Sequence, residues 1–207
     1  MEIILFHHSL GLTAGVRAFA EDLGRAGHTV HTPDLFEGRT FKTIPEGMAH
    51  AEAIGFPDAI LARSLRAVAA LPKDVVYAGI SLGVVVAEKL AQSRPGACGA
   101  LLLESFVPLR YIGPWPAGLP AQIHGMATDP YFAGEGDLEA ARAFVAETPA
   151  SELFVYEGDQ HLFCDRGLGS YRPEAAALVL ARSLQFLDRV AALAASDRAG
   201  DVRMRPG

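Results

Sequence analysis

The stretch Asp74-Val75-Val76-Tyr77-Ala78-Gly79-Ile80-Ser81-Leu82-Gly83 joins an apolar segment typical of a β-strand to one typical of a helix, which continues beyond Leu82. A serine between two glycines in this context, G-x-S-x-G, predicts a nucleophile elbow, a strained strand-to-helix turn in which the glycines let strand and helix cross closely. The turn would lift the Ser81 hydroxyl above a sheet and present the backbone N–H of Leu82 to an oxyanion. The motif alone is common in proteins, so its weight here comes from the strand and helix pattern around it.

The composition favours one compact domain. The chain has 207 residues, of which 50% are hydrophobic and 20% are charged, and a chain of this length can bury a sizeable core. We expect a single domain over residues 1–195, followed by a disordered tail over residues 196–207. The net charge of -6, with no cluster of lysine or arginine before the tail, argues against a nucleic-acid partner.

The sequence carries no pattern for export or membrane insertion. Glu2 stands where a signal peptide would carry basic residues, the apolar run that follows is short, and no later apolar stretch reaches membrane-spanning length. Cys98 and Cys164 are too few for a disulfide framework and lack metal-ligand spacing, although a single disulfide stays open. These features predict a cytoplasmic protein without membrane association.

Short apolar runs alternate with longer amphipathic segments, which is typical of βα units on a mostly parallel sheet with helices on both faces. Two segments, residues 36–54 and 106–120, contain glycine or proline at short intervals and are predicted to be irregular. Strands are predicted over residues 3–6, 28–32, 74–80, 100–104, 121–127 and 153–156, and helices over residues 13–26, 60–70, 82–92, 138–147 and 173–195.

A reactive serine needs a histidine to take its proton, and that histidine needs a carboxylate to hold its tautomer. In this class of fold the acid and the histidine follow the serine along the chain, which leaves His124 and His161. His124 falls inside a predicted strand and is interpreted as a packed or surface residue of that strand. His161 follows the last strand through a polar turn, at the carboxyl edge where catalytic groups gather, so we predict that His161 is the base.

Asp129 is the predicted acid. It follows the strand that ends near residue 127 and precedes Pro130, which holds it in an extended conformation. Three other acids compete with it: Asp137 fits better as a helix N-cap, and Asp159 and Asp165 lie too close to His161 in sequence to approach its ring easily.

Together these residues resemble the dienelactone hydrolase family of α/β-hydrolases, over about residues 3–190. The resemblance rests on the serine elbow and on four segments: Thr32-Pro-Asp-Leu-Phe36, His124-Gly-Met-Ala-Thr-Asp129, Tyr156-Glu-Gly-Asp-Gln-His-Leu-Phe163 and Ala181-Arg-Ser-Leu-Gln-Phe-Leu187. It implies an α/β-hydrolase fold with a minimal cap, a Ser81, Asp129 and His161 triad, and oxyanion donors on the backbone N–H groups of Leu82 and Ser9. It implies no metal or organic cofactor and a small ester or lactone as substrate.

The chain departs from this family at two positions. The founding enzymes use cysteine at the elbow and a glutamate after the first strand, whereas this chain has Ser81 and the sequence His7-His8-Ser9. A serine depends on its histidine rather than on a carboxylate switch, so a carboxylated dienelactone is not the expected substrate.

Three further residues are assigned to substrate binding. Arg182 occupies a helix position that matches a substrate-binding arginine of the family. We expect His8 and Phe36 to line the pocket, and we interpret His7 as structural. The adjacent histidines have no third partner at suitable spacing, so no metal site is predicted.

The sequence therefore predicts a serine esterase or lactonase, a monomer or homodimer. Two alternatives stay open: a noncatalytic small-ligand binding protein with the same fold, and a hydrolase that acts on thioester or peptide bonds. The complete triad argues against the first, and a panel of substrates would separate the second.

Overall fold

The computed structural model describes residues 1–203, with side chains for residues 1–196. Its centre is one sheet of six strands in the order β2-β1-β3-β4-β5-β6, with every neighbouring pair parallel. The carboxyl ends of all six strands therefore meet at one edge. The strands are β1 Glu2–Phe6, β2 Thr29–His31, β3 Val75–Ile80, β4 Ala97–Leu103, β5 Ala121–Met126 and β6 Glu152–Tyr156.

Helices cover both faces of the sheet, as predicted. Alternate residues of each strand point to opposite faces, so Ile4 and Tyr77 join one hydrophobic cluster and Ile3 and Val76 join the other. Side chains of α2, α3, α4 and α6 pack in the first cluster and those of α1 and α7 in the second. The helices are α1 Ala14–Arg25, α2 Ile44–Ala53, α3 Asp58–Ala67, α4 Leu82–Ser93, α5 Leu109–Ile112, α6 Asp137–Glu147 and α7 Pro173–Arg203.

The predicted loop over residues 36–54 contains helix α2. Thr43 begins the helix with a capping box, in which its hydroxyl accepts from the Glu46 N–H and the Glu46 carboxylate accepts from the Thr43 N–H. Proline is tolerated in the first helical turn, and a Cβ on Gly47 would lie 1.9 Å from the Ser9 carbonyl oxygen. Gly47 therefore allows α2 to contact the loop after β1, and it does not interrupt the helix.

The closing helix continues beyond its predicted end at Ala195. Helix α7 extends to Arg203, into the segment 196–207 that is expected to be a disordered tail, and residues 204–207 of that segment lie outside the described part of the chain. None of the helices in the described residues combines the length and apolar character that a membrane span requires.

The proline-rich connection over residues 106–120 is fastened to helix α4. The Val107 N–H donates to Glu88 Oε1 (2.9 Å), and Lys89 Nζ donates to the Ile112 carbonyl (2.9 Å). This connection holds only the four-residue helix α5, and each longer helix contributes side chains to one of the two clusters. The described residues thus form no separate cap domain over the sheet.

Candidate active site

The turn between β3 and α4 has the strained backbone that the sequence predicts. Ser81 has φ 50° and ψ -116°, in the left-handed half of conformational space. A Cβ on Gly79 would lie 2.4 Å from the Gly83 carbonyl carbon, and a Cβ on Gly83 would lie 2.3 Å from the Phe6 carbonyl oxygen. The two glycines therefore let α4 cross β3 and β1 at backbone contact, and the Ser81 side chain is left at the carboxyl edge.

Three predicted site residues meet at this edge. His161 Nε2 lies 2.8 Å from Ser81 Oγ, and His161 Nδ1 lies 2.7 Å from Asp129 Oδ2. Asp129 is fully buried and His161 is 9% exposed. With Nδ1 donating to the carboxylate, Nε2 is free to accept the serine proton, which is the geometry of an activated nucleophile.

The turn after β5 fixes the position of Asp129. The Tyr131 N–H donates to Asp129 Oδ1 (2.8 Å), and the Tyr131 ring lies 4.6 Å from the His161 ring. The competing acids contact other groups: Asp137 accepts from Ser105 and Phe106 at the start of α6, Asp165 binds His8, and Asp159 binds Gln160.

Glu104, at the end of β4, is a buried carboxylate beside these groups. Its two oxygens accept from the N–H groups of Phe163 (3.0 Å) and Cys164 (3.2 Å), in the segment that carries His161. Burial raises the pKa of the Glu104 carboxyl to about 7, although the nearby His161 opposes the shift. Glu104 is not among the residues that the sequence predicts for the site. Its place at a strand end was the available signal.

Ser81 and His161 open into a cavity of about 250 Å³. Ser9 and Leu82, which carry the predicted oxyanion donors, also line this cavity. Its apolar wall consists of Ile44, Met48, Phe56, Leu82 and Val85, and its polar lining includes Glu104, Ser105, Tyr131, Glu135 and Asp137. A larger depression of about 480 Å³ lies beside α7, but its lining includes none of the three hydrogen-bonded residues, so the smaller cavity is the candidate site.

His8 does not line this cavity, which differs from the prediction. It is fully buried, its Nε2 lies 3.0 Å from Asp165 Oδ2, and its Nδ1 accepts from the Leu10 N–H (3.2 Å). Asp165 also accepts from Thr13 Oγ1 at 2.5 Å. We call His8, Thr13 and Asp165 the β1 brace, because they join the loop after β1 to the segment after His161.

Phe36 and Arg182 also lie outside the cavity lining. Phe36 is 1% exposed and makes edge contacts with His7 and His50 in the hydrophobic core. The Arg182 guanidinium lies 4.3 Å from the centre of the Phe154 ring, on the α7 side of β6. Both residue types are common in binding pockets, but Phe36 lies in the hydrophobic core on one face of the sheet and Arg182 packs against strand β6 on the other.

The remaining histidine and cysteine candidates are structural in their contacts. His124 is buried, with Nδ1 2.8 Å from the Tyr156 hydroxyl, and burial lowers its pKa to about 3. His7 is buried and accepts from the Leu35 N–H (3.0 Å). Cys98 and Cys164, both in the described residues, form no disulfide, and burial raises the pKa of the Cys164 thiol well above its usual value.

One group in the described residues offers metal-ligand atoms close together. Atoms of Glu104, Asp129 and His161 lie within 4.8 Å of one another. Each of these side chains already hydrogen-bonds protein groups: Asp129 binds His161, His161 binds Ser81, and Glu104 binds two backbone N–H groups. Those contacts account for the cluster, and the absence of a metal site stays a prediction.

The chain matches the sequence model of the dienelactone hydrolase family over residues 1–191. No curated protein sequence matches it. Among solved structures it is similar to P91, a dienelactone hydrolase-like promiscuous phosphotriesterase from metagenomic libraries, at 15% identity and a TM-score of 0.69 over 91% of this chain and 86% of that one.

Two further structures show the same fold. The dienelactone hydrolase of Anabaena variabilis is 15% identical, with a TM-score of 0.60 over 91% of this chain and 86% of that one. Esterase 2 of Thermogutta terrifontis is 18% identical, with a TM-score of 0.58 over 91% of this chain and 83% of that one. At these identities the likeness establishes the α/β-hydrolase fold.

Proposed function

This chain belongs to the dienelactone hydrolase family, and we propose that it is a serine hydrolase that cleaves a carboxylic ester or lactone through an acyl-enzyme on Ser81. The observation that carries the proposal is the continuous hydrogen-bonded series from Asp129 through His161 to Ser81, which ends at a cavity. A receptor would bind ligand without needing all three groups in this order.

The proposed reaction has two halves. His161 takes the Ser81 proton as Oγ attacks the substrate carbonyl, and the backbone N–H groups of Leu82 and Ser9 stabilise the oxyanion. The tetrahedral intermediate collapses, His161 protonates the leaving alkoxide, and the acyl group stays on Ser81. Water then attacks the acyl-enzyme with His161 as base, which releases the acid and regenerates the serine. Asp129 holds the imidazole tautomer and stabilises the imidazolium.

The departure from the family's founding enzymes is chemically consistent with this proposal. A serine hydroxyl is a weak nucleophile until a base takes its proton, and His161 lies at hydrogen-bond distance from Ser81. The founding glutamate has no counterpart in His7-His8-Ser9, and His8 is bound instead to Asp165. The proposed enzyme thus relies on histidine activation alone.

A fluorophosphonate probe tests the nucleophile directly. Thermogutta terrifontis esterase 2 has been phosphonylated by cyclosarin, and we expect the probe to label Ser81 in the folded protein. Ser81→Ala should abolish labelling and p-nitrophenyl ester hydrolysis, because both need the hydroxyl. Ser93→Ala, an exposed serine at the far end of the same helix, should retain both. Peptide mapping by mass spectrometry locates the label.

Failure of wild-type protein to react, beside a serine esterase that does react, would refute the proposal. Saturable ligand binding without turnover, unchanged in Ser81→Ala, would favour the binding-protein alternative. Rates on matched p-nitrophenyl esters, thioesters and amides would assign the bond that is cleaved, and a preference for ester is the expected result.

A further inference from the structure

The candidate cavity carries an excess of acidic side chains. Its lining includes Glu104, Glu135 and Asp137, while its other polar residues are neutral serines, a tyrosine and His161. Glu135 is exposed, Asp137 is half-buried and Glu104 is fully buried. The series therefore runs from the solvent side of the cavity to the inner carboxylate next to His161.

None of the described residues that line the cavity is lysine or arginine. Lys42 lies two residues before Ile44 of the apolar wall, but it is exposed and faces the Glu46 carboxylate. Arg182, the one arginine assigned to substrate binding by family resemblance, lies against the Phe154 ring outside the cavity. A bound carboxylate would thus meet acidic side chains, with no lysine or arginine among the described residues that line the cavity.

The cavity lining also contains a residue whose side-chain hydroxyl has no partner. Ser9 lines it and is 1% exposed, and the Ser9 hydroxyl has no hydrogen-bond partner among the described residues. A buried hydroxyl without a partner carries a desolvation cost. A polar atom of a bound substrate, such as an ester oxygen, would satisfy it.

We propose that this cavity admits esters that are neutral or positively charged near the reacting carbonyl and disfavours esters that carry a carboxylate there. The inference rests on the proposed function and narrows its substrate class. It follows from the three acids in the lining and from the absence of a lysine or arginine partner. Carboxylate repulsion is strong in a partly enclosed site, where water screens charge less than in bulk solution.

Two matched series of esters test the charge preference. In one, the acyl chain of a p-nitrophenyl ester ends in a trimethylammonium or a tert-butyl group, which are isosteric, or in a carboxylate group, which is smaller, so that a slower carboxylate ester would not be explained by size. In the other, the same three groups end the alcohol of a butyrate ester. At about pH 8, where Glu104 is mostly ionised, we expect kcat/KM of the carboxylate member of at least one series to be about tenfold below its tert-butyl member.

Substitution of the exposed acid separates charge from shape. In Glu135→Gln the penalty on the carboxylate ester, which is the ratio of kcat/KM for the tert-butyl ester to kcat/KM for the carboxylate ester, should fall by about threefold. Glu139→Gln removes another exposed acid, from the first turn of helix α6 and outside the cavity, and should leave this ratio unchanged. High salt should weaken the penalty in the wild-type protein.

Hydrolysis of the carboxylate esters within about twofold of the tert-butyl esters in both series would overturn the inference and leave the proposed function standing. A penalty equally reduced by Glu139→Gln would also overturn it, because the cavity acid would then have no special effect. Absence of turnover of every ester, together with absence of Ser81 labelling, would instead overturn the proposed function.

Discussion

At the residue scale, Gly83 lets helix α4 cross strand β1 at backbone contact. The position of its missing Cβ is 2.3 Å from the Phe6 carbonyl oxygen, and a carbonyl in a strand cannot move without disturbing the sheet. The elbow therefore depends on the absence of a side chain at this residue as much as on the serine two positions earlier.

Gly83→Ala should destabilise the protein by about 2–3 kcal/mol, the usual cost of forcing an extra group into a packed core. Urea unfolding measures the change. The control is Gly24→Ala on helix α1, where an added Cβ meets no atom within 4 Å; it should be neutral or stabilise by about 0.5–1 kcal/mol. Equal midpoints for the two variants would contradict this account of the elbow.

Glu104 positions the segment of His161 and does so as a buried carboxylate. The N–H groups of Phe163 and Cys164 donate to different oxygens of Glu104, so Glu104→Gln keeps an acceptor for one of them, whereas Glu104→Ala leaves both unsatisfied. We therefore expect Glu104→Ala to lose more ester hydrolysis than Glu104→Gln, with the difference appearing in kcat. Equal losses would show that the hydrogen bonds do not hold the site.

The difference in unfolding free energy between Glu104→Gln and wild type should depend on pH. The pKa of Glu104 rises from 4.5 to about 7 on folding, so the Glu104 carboxyl binds a proton more tightly in the folded than in the unfolded protein. The stabilisation that this proton gives the wild-type protein is lost as the pH rises from 4.5 to 7. The unfolding free energy of Glu104→Gln relative to wild type should increase over this window. Denaturant titrations at several pH values check the slope, and an opposite slope would contradict the assignment.

At the scale of elements, the connection over residues 106–120 depends on a second buried carboxylate. Glu88 on helix α4 accepts from the Val107 N–H with Oε1, while its Oε2 has no partner among the described residues. Burial raises the pKa of Glu88 well above its usual value, and the nearby Asp137 adds to the shift. A glutamine amide at residue 88 would also accept the hydrogen bond from the Val107 N–H, and it never ionises. Glutamine should therefore be more stable than glutamate at this position at neutral pH.

Glu88→Gln should therefore stabilise the protein at neutral pH by about 1 kcal/mol. The wild-type carboxyl must either ionise in an apolar site or stay protonated at a pH well above the pKa that it has in water, and both cost free energy. The sign follows from the raised pKa: the wild-type contribution is present at low pH and is lost as pH rises above 4.5. The gain should disappear near pH 4.5. Glu139→Gln on the exposed face of α6 should show no pH-dependent gain in unfolding free energy. A similar gain in that variant would contradict the explanation by burial of Glu88.

Elements built from local patterns were predictable, and those that depend on distant contacts were not. The alternation of apolar runs gave all six strands. Helix α2 was missed because Pro45 and Gly47 resemble interruptions, and only the approach of the Ser9 carbonyl explains Gly47. The end of α7 was missed because its last residues lack an apolar period.

For the molecule as a whole, chain order and strand ends were enough to identify the three residues that meet at the carboxyl edge. Ser81, Asp129 and His161 each follow a strand, and parallel strands bring their ends together. His8, Phe36 and Arg182 were misplaced because the face on which a side chain lies depends on exact strand and helix limits. The acidic lining was not predicted, since it combines Glu104, which directly follows β4, with Glu135 and Asp137, which lie just before and at the start of α6.

Buried neutral histidines give the molecule a second pH dependence. Burial lowers the pKa of His7 to about 4 and that of His124 to about 3, from 6.5. The unfolded chain therefore binds more protons below pH 6.5, and stability is lost as the pH falls toward these values. This trend opposes that of Glu88 and Glu104, so the two contributions partly cancel between pH 4.5 and 6.5.

His124→Gln should isolate the histidine contribution. The variant loses stability at pH 7 if its contacts with Tyr156 and Gln122 are disturbed, but it cannot take up a proton on unfolding. Its unfolding free energy relative to wild type should therefore increase as the pH falls from 6.5 toward 4. Chemical denaturation across this range measures the trend. A difference in unfolding free energy that does not change with pH would show that His124 has the same pKa in the folded and the unfolded protein, which contradicts this account.

The β1 brace has a consequence for motion. His8 adjoins Ser9, the proposed oxyanion donor, and Asp165 lies four residues after His161, the proposed base, so the buried contact between His8 and Asp165 joins the two segments that carry these residues. Local opening of proteins occurs in cooperative units. The amide hydrogens around residues 8–13 and 161–167 should accordingly exchange with deuterium as one unit. A single local unfolding event would then open both segments of the site together.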